Sequence, residues 1–338
     1  MHYNYIFIFD DIGYTNVQFN DLKNYSYGQF IPLSLNYWGK NKKSIINLIC
    51  HVHNSPKLNY PFSLPFRSIW NNRLFNFYYK DSFDKSKPFC FIIQARLYEK
   101  YYDFLLNHLR KSFDNCIILL YYTDLFINHR FVFNKIKYKF DAILTFEKDD
   151  AKKYDLIHYD EAYSKLEINS SLPKTDVFFI GKAKNRLKTI IEIYEKLTSN
   201  DLICDFYITG VQKKDQYLND KIHYIDYMDY KEILKHVVST KCILEILQGD
   251  GKSPTLRAFE AVCYNKRLLT NCSELTDREY YNPKYISIFD NINSIDINFI
   301  KNDQEKIDFN FENKLSPIEM IKNIDNNILT YLEMRKQN

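Results

Sequence analysis

The chain has 338 residues, 46% of them hydrophobic and 26% charged, which excludes a disordered protein and suggests two domains or one large one. Residues 1–175 hold 23 Lys+Arg against 17 Asp+Glu (+6), and 176–338 hold 23 against 25 (−2), too mild a charge for a dedicated nucleic-acid binder. No apolar run approaches the ~20 residues that span a bilayer, and seven cysteines without a CxxC pair read as buried reduced thiols of a cytoplasmic protein.

The chain opens on MHYNYIFIFDD, which has no cationic leader region and reads as a strand at 3–9 rather than a signal peptide. Further strands are expected at 45–50, 89–94, 116–122 and 142–146. A helix is expected at 97–112, with Leu97, Tyr101, Leu105 and Leu109 on one face. The polar stretch 161–175 reads as a linker. Strand 176–180 then meets Gly181 and a helix at 186–198. Strand 203–208 and a short strand at 222–225 follow, then a helix at about 230–238, with Asp229 and Glu232 placed as in a capping box. Strand 242–247 leads through the loop QGDGKS to a helix from Pro254 to about Tyr264. Strands at 267–270 and 285–289 come next, then an amphipathic helix at 316–335 with Ile318, Ile321, Ile328 and Leu332 as its apolar side. Strands alternating with helices predict an α/β protein with parallel sheets. The expected form is two Rossmann-like domains facing across a cleft, with ligands at the carboxyl ends of the strands.

Two loops carry the chemistry. In QGDGKSPTLRAFE (248–260), Ser253 is a natural N-cap and Pro254 falls at the first helical position. A helix start there offers N–H groups and a positive dipole to an anion. The Ser253 and Thr255 hydroxyls can add donors to a phosphate, and Glu260 can accept from a ribose diol. The same residues also read as an ordinary capped helix with a solvated Arg257 and Glu260. Gly251-Lys252-Ser253 matches the tail of a P-loop, but the first glycine of that motif would fall on Ile246. In IGKAKNR (180–186), Lys182, Lys184 and Arg186 crowd the turn after a strand and suit a diphosphate, or form a solvated basic loop.

With these stretches in place, residues 176–271 resemble the donor domain of a bacterial GT-B glycosyltransferase family of capsule, lipopolysaccharide and related surface-glycan gene clusters. The resemblance rests on Gly181, Lys184 and Arg186, then on Gln248, Ser253, Thr255, Leu256, Arg257, Glu260, Ala261, Lys266, Thr270 and Asn271. It departs at Gly249–Lys252 and Pro254. Residues 117–124 and 140–156 resemble the family more faintly. The resemblance implies an acceptor-binding domain at 1–168, a nucleotide-sugar domain at 169–315, and a helix at 316–338 packing back on the first domain. It implies a metal-independent hexosyltransferase that needs no cofactor. Lys184 and Arg186 would stabilise the leaving diphosphate, Glu260 would hold the ribose, and Ser253 and Thr255 would touch phosphate. No DxD stands on a suitable loop. The donor is expected to be UDP-linked and the acceptor a surface glycan, free or lipid-linked.

An inverting transfer needs a base for the acceptor hydroxyl. Asp10 and Asp11 end the first strand and Asp124 the fourth, so these three are the candidates, each also readable as a cap or turn residue. His51 and His53 alternate on a strand end as acceptor-site candidates. Nine aromatics mixed with Arg67, Arg73 and Lys80 in 60–83 can meet a membrane interface weakly, or pack as a surface excursion. The rival readings are a nucleotide-sugar epimerase and a non-catalytic nucleotide-binding or scaffold protein of the same pathway.

Overall fold

Strands that read as unbroken apolar runs are buried on both faces, and in the computed structural model each joins a parallel sheet. The structure describes residues 1–33, 77–101, 103–126, 133–248, 252–302 and 306–337, and between 34 and 76 only 49, 52, 53, 65, 66, 69 and 75. The fold is α/β, with two Rossmann-like domains. The chain divides into two compact units, Met1–Ser164 with Ser316–Asn338, and Lys165–Leu315.

The first unit holds β1 (Asn4–Phe9), β2 (Gly28–Pro32), β3 (Phe89–Gln94), β4 (Ile117–Tyr122), β5 (Ala142–Thr145) and β6 (Ile157–His158). They pair in parallel in the order β2-β1-β3-β4-β5-β6. The order reverses between β1 and β3, which makes their carboxyl ends the unit's topological switch point. Helices α1 (Gly13–Gln18), α2 (Ala95–Tyr101), α3 (Asp103–Ser112) and α4 (Lys148–Tyr154) lie in the connections. Leu97, Tyr101, Leu105 and Leu109 are buried on one face of the sheet. On the other face Phe7, Phe9 and Phe19 pack with Met320, Ile321 and Ile324 of the last helix, α8 (Pro317–Gln337). Gly28 lets that helix approach β2: a Cβ there would lie 2.6 Å from Ile321 Cδ1. Asp325 of α8 accepts the His2 N–H (2.7 Å) and the Tyr5 hydroxyl (2.8 Å).

Three expectations are corrected in this unit. The edge strand is β2, whose Gly and Pro ends hid it, while Ile49 of the expected strand 45–50 is helical. His53 is likewise helical and half-buried, and His51 lies outside the described residues, so strand alternation does not pair them. In 60–83 the described aromatics in part follow the packed-excursion reading, and the correction there concerns Lys80. Phe66 and Tyr78 are exposed, but Phe75 is buried against Tyr101 and Phe83 against Phe89. The Lys80 ammonium donates to the carbonyls of Leu22, Tyr25 and Gly28, which removes it from any surface role. Arg67 and Arg73 lie outside the described residues.

The second unit holds β7 (Thr175–Lys182), β8 (Cys204–Thr209), β9 (His223–Ile225), β10 (Thr240–Glu245), β11 (Arg267–Thr270) and β12 (Ile286–Ile288). Read from one edge, β9-β8-β7-β10-β11-β12 is the Rossmann order, with its switch point between β7 and β10. Helices α5 (Leu187–Thr198), α6 (Tyr230–Ser239) and α7 (Leu256–Cys263) cover it. The stretch 161–175 is not an open linker. Tyr163 is fully buried and the Ser164 hydroxyl donates to Gln18 in the first unit, while the Leu166 N–H donates to the Tyr264 hydroxyl in the second. The six described cysteines are free thiols.

Candidate functional site

In the second unit the switch point brings together the two loops that the sequence singled out. β7 runs out through Gly181 and Lys182 into a turn, and the Gln248 amide after β10 donates to the Lys182 carbonyl at 3.3 Å. Lys182 and Lys184 are exposed. Lys184 takes a left-handed backbone (φ 43°), which costs about 1–3 kcal/mol for a residue with a side chain and persists where surrounding structure fixes it. Arg186 folds back over the strand end. Its Nε donates to the Lys182 carbonyl (3.2 Å), its guanidinium lies 5.9 Å from the Phe179 ring, and a Cβ on Gly181 would meet its Nη2 at 2.8 Å. Burial lowers the Arg186 pKa to about 10, and Glu245 opposes that shift. The site therefore has two solvated cations and one half-buried cation at the edge where Rossmann sheets bind ligands.

The start of α7 differs from expectation. The N-cap is Thr255, not Ser253, and its hydroxyl accepts the Arg257 N–H at 3.3 Å. Pro254 therefore precedes the helix instead of opening it. Glu245, the last residue of β10 and 1% exposed, accepts the Thr255 N–H (2.8 Å), the Thr255 hydroxyl (2.6 Å) and the Thr270 hydroxyl (2.6 Å). The Ser253 hydroxyl donates to Glu274 at 3.3 Å. Both hydroxyls assigned to phosphate thus serve carboxylates of the protein, and an internal carboxylate already occupies the helix start. Gly249, Asp250 and Gly251 lie outside the described residues.

Glu260 is not solvated either. It is 0% exposed, and its Oε1 accepts from the Tyr230 hydroxyl at 2.6 Å. Its Oε2 pairs with Arg257 Nη1 at 2.7 Å. Burial pushes its pKa up to about 7, with Arg257 and Tyr230 pulling down and Glu245 pushing up. In the α6 cap, Asp229 accepts the Lys231 N–H at 2.9 Å, but Glu232 turns to Lys235 (2.7 Å) instead of closing a capping box.

In the first unit, Asp10 follows β1 at the switch point and is 8% exposed. Its N–H donates to Gln94 Oε1 at 2.9 Å, and Gln94 Nε2 donates to the Thr123 hydroxyl at 3.0 Å, beside Asp124. Asp124 Oδ1 accepts the Leu125 N–H at 2.8 Å. Asp11 stands apart: it is exposed and accepts from Asn16 at 3.0 Å. Sequence reasoning missed Glu161, placed in the supposed linker. Enclosure by protein atoms, then Asp124 and Asp160, push it up to about 8, while Gln18 pulls it down. Tyr14 feels Glu161, Arg96, Asp10 and Asp124, so these groups share one electrostatic neighbourhood. Glu245 was also missed, although a carboxylate inside the apolar run CILEIL was the available signal.

No protein-family model and no curated protein matches the chain. Solved structures do. Sucrose-phosphate synthase from Thermosynechococcus elongatus is similar at 11% identity and TM-score 0.50, over 88% of this chain and 89% of that one. The UDP-GlcNAc 2-epimerase of Methanocaldococcus jannaschii is similar at 14% identity and TM-score 0.47, over 94% and 99%. TarM is similar at 13% identity and TM-score 0.39, over 63% of this chain, which spans about half of TarM's length (47%). At these identities the likeness shows the fold alone. No helix among the described residues is long and apolar enough to cross a membrane.

Proposed function

We propose that the chain is a glycosyltransferase that moves a hexose from a nucleotide-sugar, UDP-linked, to a growing bacterial surface glycan. The observation that carries this reading is the contact of Gln248, just after β10, with the 181–186 turn at the second unit's switch point, with Lys182, Lys184 and Arg186 around it. Cations fixed at that edge neutralise charge developing on a leaving diphosphate, the task a divalent metal performs elsewhere. Glu260 serves the ribose, and Gln248 fixes the turn. Ser253 and Thr255, held by Glu274 and Glu245, keep the loop in shape beside the phosphate position. In the first unit Asp10 and Asp124 are the carboxylates suited to accept the proton of an acceptor hydroxyl, with Glu161 as a close electrostatic neighbour. Asp11, tied outward to Asn16, is set aside.

Incubation with a panel of UDP-sugars and a glycan acceptor tests the reaction class. A glycosylated acceptor is expected, with turnover unchanged by EDTA. An epimerised sugar would replace this reading by an epimerase, and no change in either substrate by a binding protein. Strict dependence on Mg²⁺ or Mn²⁺ would refute the metal-independent route.

The acceptor's carrier is proposed to be a membrane lipid met through weak peripheral contact. The support is the +6 charge of residues 1–175 together with exposed Phe66 and Ile69. Each basic residue near an anionic surface contributes about 1 kcal/mol, screened by salt. Binding to vesicles with anionic lipid is expected at low salt, lost at high salt and weakened by Arg67→Gln with Arg73→Gln. Retention that ignores both salt and the substitutions would contradict it.

A further inference from the structure

The reading of Glu260 as a ribose partner meets an obstacle in the structure, because the carboxylate is fully enclosed. Its two partners differ in one respect. Tyr230, from α6, is 5% exposed and holds Oε1 from the protein interior. Arg257, one turn before Glu260 on α7, keeps 14% of its side chain exposed and brings Nη1 to 2.7 Å from Oε2, an ion pair whose geometry is not that of a hydrogen bond. Of the two, Arg257 is the cover on the solvent side. The other charged group facing Glu260 is Glu245 of β10, whose carboxyl, raised by burial, also interacts with Arg257. Arg257 thus stands among two buried carboxylates of its own unit at the ligand edge of the sheet.

A buried ion pair is weak evidence of a stabilising purpose, since apolar residues of similar volume usually serve a fold as well. An arginine can change partners without losing charge compensation, provided the new partner is also anionic. We infer that Arg257 is a displaceable cover: a nucleoside diphosphate draws its guanidinium from Glu260 onto the diphosphate, and the uncovered Oε2 then accepts from the ribose hydroxyls while Tyr230 keeps Oε1 in place. This rests on the nucleotide-sugar reading of the same site. It explains how a carboxylate suited to ribose can be enclosed by its own protein partners. It also makes recognition of ribose conditional on the phosphates, because a nucleoside alone offers the guanidinium no anion in exchange.

Titration calorimetry with UDP and with uridine tests the cover. In the wild type, UDP is expected to bind and uridine to bind far more weakly. Arg257→Ala is expected to weaken UDP at least tenfold yet to strengthen uridine several-fold, because Glu260 is then open. Adding Glu260→Gln is expected to abolish the gain for uridine. Arg257→Lys retains a cation with a single-point contact, and is expected to weaken UDP without strengthening uridine. It also serves if the alanine variant fails to fold. If wild type binds UDP and Arg257→Ala leaves uridine unchanged or weaker, the cover is refuted while the nucleotide reading stands. A gain for uridine in Arg257→Lys equal to that in Arg257→Ala would likewise refute it. If wild type binds no UDP at millimolar concentration, both readings fall.

Discussion

Replacing Glu245 by alanine is expected to destabilise the second unit by about 2–4 kcal/mol, chiefly because a buried hydroxyl loses its acceptor and a well-packed side chain is removed. The carboxylate lies at the end of β10 and accepts three hydrogen bonds, two from Thr255 and one from Thr270. The Thr270 hydroxyl is fully buried and would have no water to turn to. Thr255 is the N-cap of α7, so releasing it would let that helix fray into the loop that follows β10. Glu245→Gln keeps a carbonyl acceptor and is expected to cost about 1–2 kcal/mol. Both tryptophans, Trp38 and Trp70, lie in the first half of the sequence, so their fluorescence is a poor reporter for this unit. Amide hydrogen exchange in β10 and α7 reads the effect where it occurs. Protection in Glu245→Ala equal to that of the wild type would mean that the carboxylate's partners are readily replaced.

The combined replacement of Lys182, Lys184 and Arg186 by alanine is expected to lower UDP affinity by about a hundredfold or more. A hydrogen bond to a charged group contributes about 1.5–3 kcal/mol, and three cations act on one diphosphate. The nucleoside should be indifferent, so uridine affinity is expected to change less than about twofold. Salt separates the cause further: rising ionic strength should weaken UDP binding in the wild type more than in the variant, which keeps Arg257. Unchanged UDP affinity in the triple variant would place the diphosphate away from the β7 turn. Arg186 is the most informative single site, because it is half-buried over Gly181 and has less freedom than the two lysines.

Much of this architecture was legible because apolar runs in a parallel sheet are long and unbroken. YIFIF, CFIIQ and CILEIL could hardly be anything else, and the Rossmann order follows from strands alternating with helices. β2 was not legible: a five-residue strand bounded by Gly28 and Pro32 looks like a turn. The two loops of the proposed donor site were also legible, since glycine and arginine are scarce here and their clustering carries information. What the sequence could not show was which groups would satisfy one another. Ser253, Thr255 and Glu260 were assigned to a ligand because each is the right type for it. The fold brings Glu274 and Glu245, distant in a linear reading, within hydrogen-bond reach of the two hydroxyls, and buries Glu260 beside Arg257, its i,i+3 neighbour on the same helix face. Glu161 was hidden for a different reason, since a polar stretch with Ser-Ser and Pro suggests a linker until Tyr163 and Ser164 prove to be buried. Lys80 shows the same limit, as three backbone carbonyls close around a charge that composition would place in solvent.

The claim at the centre of this account is that the second unit's switch point receives a nucleoside diphosphate. A crystal structure of the protein with UDP tests it most directly. The diphosphate is expected between the 182–186 turn and the start of α7, with Arg186 on a phosphate oxygen and the ribose turned toward Glu260. A nucleotide bound at any other edge of the sheet, or a crystal soaked in millimolar UDP that shows none, would contradict it.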